Sequence, residues 1–456
     1  MLALLNNWLW SYVLIVMLIG LGIYFTVKTN FAQFRLIREM LQETVAKRPA
    51  NKRKAIASFQ AFCISTASRV GTGNIAGVAI AISLGGPGAV FWMWMIALVG
   101  AALSLIECTL AQIYKIKDKT GYRGGPAYYM QRGLNAKYMG MFFALVTVFC
   151  YGFAFNAVQA NTIASAFHHF SFEPLIVGLI LGALTAFIIA GGVHRIAHVS
   201  QYLIPVMAGI YILIALFIMF NHITEIPSLM VLIVKNAFGF EQIAGGSLGA
   251  AILHGIKRGL YSNEAGMGSV PNVAAAAEVS HPVKQGLVQT LGVFVDTLLI
   301  CSATAFIVLL TDSHLLQGVQ GVQITQAAML SELGIIGNYF LTLCIFLFAF
   351  SSIIGNYYYG ETNLEYIHAH PLSVISYRLL VVVFVILGSI AELVTVWNVA
   401  DLFMALMAMT NLIAIFLLSK IAFAAFQNYM QQKKSGVDPV FKAKDIKNLK
   451  NTECWD

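Results

Sequence analysis

Apolar stretches long enough to cross a bilayer recur along nearly the whole of this 456-residue chain, which removes the folds open to a soluble protein. They run from Trp8 to Val27, Ile56 to Ser83, Phe91 to Tyr114, Met139 to Phe167, Pro174 to Ala190 and Ser200 to Phe220. They continue from Gly245 to Leu260, Leu287 to Leu310, Tyr339 to Tyr359, Ser373 to Leu393 and Leu402 to Ala425. Hydrocarbon offers no partner to backbone N–H and C=O groups, so each stretch must close its own hydrogen bonds as a helix. With 59% hydrophobic and 11% charged residues, the chain reads as an all-α polytopic membrane protein of about 11 transmembrane helices. The first stretch has almost no positive charge before it and no small-residue cleavage site after it, so it reads as a retained helix.

The net charge of +8 does not point to nucleic acid, because Lys and Arg are confined to particular loops. One basic stretch carries Lys28, Arg35, Arg38, Lys47, Arg48, Lys52, Arg53 and Lys54. Another carries Lys115, Lys117, Lys119, Arg123, Arg132 and Lys137 around a short surface helix in G-G-P-A-Y-Y-M-Q-R-G-L. By the positive-inside rule both loops and the Lys-rich tail are cytoplasmic and the amino terminus is outside, with Lys235 alone clearly on the outer side. This is the pattern of a multi-pass protein of the cell (inner) membrane. The polar connection from Thr311 to Gly337, free of Lys and Arg, is expected outside. Of six cysteines, Cys63, Cys108, Cys150, Cys301 and Cys344 lie in apolar segments and Cys454 in the tail, so neither disulfides nor a zinc site is favoured.

Two segments are interrupted. The second contains S-T-A-S-R-V-G-T-G-N-I-A-G, Ser65 to Gly77, and each glycine at mid-depth costs a helix about 1 kcal/mol relative to alanine. The seventh breaks at S-N-E-A-G-M-G-S, Ser262 to Ser269, before an Ala-rich helix near Asn272 to Glu278. Broken backbone at such depth must line a cavity. Segments two to six make five crossings that start inside, segments seven to eleven five that start outside, and each set opens with the interrupted helix. That is the sequence pointer to a secondary transporter with a 5+5 inverted repeat. The expected organisation is an extra helix and basic linker over 1–55, repeats over 56–220 and 221–425, and a tail over 426–456.

The motifs V-G-T-G-N-I-A-G-V-A, G-G-P-G-A-V-F-W-M-W, G-Y-R-G-G-P-A-Y-Y-M, R-G-L-Y-S-N-E-A-G-M-G-S-V-P-N, H-P-V-K-Q-G and Y-Y-Y-G-E resemble the alanine or glycine:cation symporter family over nearly the whole chain. The resemblance implies a leucine-transporter (LeuT-type) fold and sodium-driven uptake of small neutral amino acids, with Na+ as coupling ion, the lipid bilayer as surroundings and a monomer as the working unit.

At the first break, free N–H groups around Gly73, Asn74 and Ile75 carry the positive end of a helix dipole. They would stabilise a substrate carboxylate by up to about 2 kcal/mol. The competing reading is close helix packing by small residues. Thr72 and Asn74 are the expected polar contacts. The resemblance implies a sodium site formed by the carbonyls of Ala67, Val70 and Phe348 with the hydroxyls of Ser351 and Ser352, although serines in membrane helices also bond back to their own backbone. Replacing both serines by alanine is then expected to abolish sodium-stimulated uptake. Gln159 resembles the family's substrate-facing glutamine, and Ile353 lies beside Ser352 in the same pocket; Asn156 and Asn161 are either pocket or interhelical groups. Asn356, in S-S-I-I-G-N, stands where the family usually has tryptophan, which enlarges the pocket and admits a larger or more polar neutral amino acid than alanine.

Arg69, Glu107, Lys257, Arg258, Glu264 and Asp296 lie in or beside the membrane, where unpaired charge is costly. Arg258 and Glu264 are expected to pair across the second break, and Glu264 is also within reach of a substrate ammonium. His168, His169 and His254 show no ligand spacing. The rival readings are proton coupling through Glu264 or Glu107 and, further off, a channel; the membrane segments hold no nucleophile–base pair or metal-ligand cluster for an enzyme.

Overall fold

The computed structural model describes residues 2–46, 55–118, 121–168, 170–239, 248–447 and 449–455. Lys47, Arg48, Lys52, Arg53, Lys54, Lys119, His169 and the expected start of the seventh segment at Gly245 lie outside them. Helix α1 (Leu4–Lys28) is followed by two short helices, α2 (Ala32–Arg35) and α3 (Ile37–Thr44). The second segment is split into α4 (Ser58–Arg69) and α5 (Gly73–Gly85), and α6 (Gly88–Ile113) returns. A hairpin of β1 (Ile116–Asp118) and β2 (Gly121–Arg123), paired Ile116 to Arg123, precedes α7 (Pro126–Leu134). Then come α8 (Lys137–His168), α9 (Pro174–Ile189), α10 (Gly192–Asn221) and α11 (Ile226–Ala237).

The seventh segment is split likewise, into α12 (Leu248–Asn263) and α13 (Pro271–Ala276), and α14 (Pro282–Leu310) follows. The chain continues through α15 (Val322–Ile367), α16 (Pro371–Ile390), α17 (Leu393–Leu417) and α18 (Ser419–Lys434). Among the described residues eight helices are long and apolar enough to cross a membrane: α1, α6, α8, α10, α14, α15, α16 and α17. The remaining three expected segments are the two split ones, each half too short alone, and the 16-residue α9.

Several elements differ from the sequence expectation. The connection expected over Thr311 to Gly337 is helical from Val322, and α15 runs through a kink at Gly334 (φ 62°, ψ −155°). The eleventh segment begins at Leu393, not Leu402, because Asp401 lowers the apolar signal of a helix that in fact buries that carboxylate beside two cations. The helix over Pro126–Leu134 is not a surface element: Pro126 to Met130 are buried. Neither the β-hairpin nor α11 was expected, and single π-turns interrupt α8 at Cys150–Ala154 and α14 at Val295–Cys301.

The tail is docked. Trp455 donates its indole N–H to the Gln112 carbonyl at 2.8 Å, Arg132 pairs with Glu453 at 2.8 Å, and Lys284 pairs with Asp438. At the same end Arg123 pairs with Glu365 of α15 at 2.7 Å, which fastens the hairpin to the long helix. The end of the second break meets the start of the first segment half, with Glu278 N–H donating to the Ile56 carbonyl at 3.1 Å.

Candidate functional site

The backbone leaves helical geometry at Val70 (φ −79°, ψ 88°), and α5 restarts as a π-turn over Gly73–Gly77. The amides freed by this unwinding find side-chain acceptors. Gly71 N–H donates to Asn74 Oδ1 at 3.0 Å, and Thr72 N–H donates to Gln159 Oε1 of α8 at 3.0 Å. Glycine at 71 is a matter of room. A Cβ there would lie 2.2 Å from Ser352 Oγ and 3.0 Å from Gln159 Oε1, so any side chain would displace the Ser352 hydroxyl and the Gln159 amide from the break.

Ser352 Oγ lies 2.9 Å from the Ala67 carbonyl, 3.1 Å from the Phe348 carbonyl and 3.4 Å from the Val70 carbonyl. Ser351 donates to the same Phe348 carbonyl at 2.8 Å. Ser352 Oγ and three carbonyls from two elements thus converge, and Ser351 Oγ joins them through the shared Phe348 carbonyl. An oxygen-rich cluster of this kind suits a hard cation. Ile353 is buried in the apolar core beside them.

Asn74 is not free to meet a ligand. Its oxygen is taken by Gly71, and its amide donates to Asp296 Oδ1 at 2.7 Å, while Asp296 Oδ2 accepts from Ser262 at 2.7 Å. Asp296, in the π-turn of α14, therefore ties the first break to the second. The second break runs through left-handed backbone at Glu264 (φ 57°), Gly266 (φ 83°) and Gly268 (φ 88°), a path open to glycine at little cost. Glu107 of α6 accepts from Gly266 N–H at 3.1 Å and from Asn411 Nδ2 at 2.8 Å.

Arg258 and Glu264 do not pair. Arg258 meets Asp401 of α17 at 2.7 Å, Lys257 shares that carboxylate at 2.6 Å, and the guanidinium lies 4.3 Å from the Trp397 ring centroid. Glu264 lies one residue past the end of α12 in left-handed backbone, which takes its side chain off the helical periodicity, so Arg258 faces α17 while Glu264 faces α4. Glu264 accepts from Ser68 at 2.7 Å and Ser269 at 2.6 Å. Ser68 Oγ is also 2.9 Å from Asn356 Oδ1, and Asn356 donates to Asn156 Oδ1 at 3.0 Å. A polar chain thus crosses the core from α8 through α15 and α4 to the second break. Asn161 stands outside it, donating to the carbonyls of Gly388 and Ala391, and so joins helices. Above Thr72, Tyr261 lies between Phe155 and Trp397, each 4.7 Å away ring to ring. Sequence reasoning missed Asp401, Ser68 and Tyr261. The charge at 401 inside an apolar segment was the one available signal.

Residues 1–443 match the profile of the Sodium:alanine symporter family. The chain belongs to that family. It is 52% identical over 454 residues to the "Probable sodium/glutamine symporter GlnT" of Bacillus subtilis (strain 168), covering 99% of this chain and 94% of that one. It is 53% identical over 452 residues to the "Amino-acid carrier protein AlsT" of the same organism, covering 99% and 96%. Among solved structures it is similar to MhsT in complex with L-phenylalanine, with a TM-score of 0.59 and 14% identity over 82% of this chain and 93% of that one; at that identity the likeness is one of fold, the LeuT type. A sodium:alanine symporter family member is a membrane transporter, not an enzyme, and couples amino-acid movement to Na+.

Proposed function

We propose that this symporter prefers neutral amino acids with a carboxamide side chain, glutamine ahead of alanine, and carries them with sodium held by the Ala67, Val70 and Phe348 carbonyls and the Ser351 and Ser352 hydroxyls. The substrate carboxylate takes the Thr72 and Gly73 N–H groups, displacing the Gln159 oxygen that occupies the first of them. The observation that carries the substrate class is the Asn156–Asn356 pair, a donor and acceptor wall where the family usually has an indole. Asn356 pairs with Asn156 and Ser68, and Asn156 with the Gly152 carbonyl, so a substrate carboxamide exchanges into this network where a methyl offers no donor or acceptor to replace a broken bond. The name of the GlnT relative supports the same choice.

Sodium at the five oxygens links α4 to α15 and so forms the pocket beside Thr72. By reciprocity the substrate raises sodium affinity by the same factor. The bundle made of α4, α5, α6, α12, α13 and α14 rocks against the remaining helices to expose the site alternately, with the amino terminus outside, the tail inside and a monomer as the working unit. The Arg258–Asp401 pair over Trp397 and Tyr261 closes the outer path.

Proteoliposome uptake of labelled glutamine and alanine with and without a sodium gradient tests this. Glutamine is expected to be preferred, and Asn356→Trp to reverse the preference by roughly tenfold or more. Alanine preferred by the wild type would sink the reading. A second reading, proton coupling, rests on Glu264, whose carboxylate has hydroxyl partners and no ion pair at 4 Å or less among the described residues. Uptake driven by a proton gradient in sodium-free buffer would favour it.

A further inference from the structure

At the end of the molecule opposite the hairpin, outside under the orientation proposed above, a cavity of about 300 Å³ opens between α8 and the two parts of α15 on either side of its kink. Ser165 and His168 come from the end of α8, Gln323, Gln326 and Ala327 from the first part of α15, and Asn338 from just past the Gly334 kink. No Asp, Glu, Lys or Arg is among the described residues that line it. Asn338 is 1% exposed, yet neither its Oδ1 nor its Nδ2 has a hydrogen-bond partner among the described residues. Leaving a buried amide unmade on both sides costs free energy that folding alone has no reason to spend. Gln326, by contrast, is anchored, donating to the Ala166 carbonyl and to Thr342, both at 3.1 Å.

We propose that this cavity is a second ligand site that takes a primary carboxamide. Such a group offers an acceptor and two donors in one plane, so a single ligand satisfies both faces of Asn338 at once. A charged head group would find no counter-charge on these walls, whereas a zwitterionic end left at the mouth stays solvated. Glutamine is therefore the natural occupant, and this choice of ligand rests on the carboxamide reading of the central site. An adjoining face of the same helix carries Ile324 into a cluster with Val78, Ala79 and Ile82 of α5. An occupant consequently stiffens an element that packs directly on the first broken helix.

Equilibrium dialysis of labelled glutamine against the purified full-length protein in sodium buffer reads the site. Two binding steps are expected in the wild type, with the second displaced by propionamide and lost both in Asn338→Leu and in Ala327→Phe, which fills the cavity without altering the amide. Sodium-driven glutamine uptake should keep its KM in both variants, which also shows that they fold. One binding step that neither variant alters, or two steps that both survive the substitutions, overturns the inference. If glutamine is not transported, a lone binding step removed by Asn338→Leu sustains the outer site and sinks only the glutamine reading of the central one.

Discussion

Ser352 holds the tightest chemistry in the molecule, one hydroxyl within reach of three carbonyls from two helices. Only one of those carbonyls can receive its proton at a time, and the Phe348 carbonyl also receives that of Ser351, so Ala67 and Val70 are the carbonyls that the proposed sodium ion would serve most directly. Ser351 donates within its own turn and adds its oxygen from the side. Ser352→Ala is expected to weaken the sodium dependence of uptake by roughly tenfold or more, with Ser351→Ala weaker in effect, as read by sodium titration of initial rates. Equal effects would mean that the hydroxyls are interchangeable. Both serines and Gln159 were legible through the family resemblance, and the glycines as breakers. The wiring of Asn356 to Asn156 and Ser68 was not, because those contacts join residues 200 and 288 positions apart and no local pattern encodes them.

The helices are interrupted where capping side chains replace the lost ladder, Asn74 at one break and Glu107 at the other. Asp401 acts between elements, reaching from α17 to pair with two cations of α12. Asp401→Ala leaves both of them buried without a counter-charge and is expected to cost about 3–5 kcal/mol, measured as a large fall in melting temperature in detergent. A second element-level device sits at the start of α14. His281 caps it, its Nδ1 accepting from Val283 N–H at 3.2 Å, and burial followed by the nearby Lys284 pushes the imidazole down to about 4. A folded pKa below the ordinary 6.5 means that the neutral form stabilises the fold fully above pH 6.5, and that this share is lost as pH falls towards 4. Between pH 7 and 4.5 the wild type should therefore lose more melting temperature than His281→Asn, which keeps a cap of about 1 kcal/mol but does not titrate. Identical pH profiles would refute the assignment.

Across the whole molecule, the hairpin, α7 and the docked tail gather at one end, and α11 with the first part of α15 at the other. The proposed orientation predicts that Ser228→Cys is labelled by an impermeant maleimide in intact cells and Lys444→Cys only after lysis, in a Cys454→Ser background; the five other cysteines are buried. The reverse pattern would invert the topology. Hydropathy and glycine by themselves determined that the chain is a bundle of membrane helices with two unwound ones, since the cost of an unpaired peptide group in hydrocarbon is local and additive. Tertiary structure alone decided which buried charge meets which, and it placed Arg258 on Asp401 and Glu264 on Ser68. Partner choice among charges depends on how helices distant in sequence rotate and stack, and a linear pattern carries the price of burying a charge but not the identity of the group that relieves it.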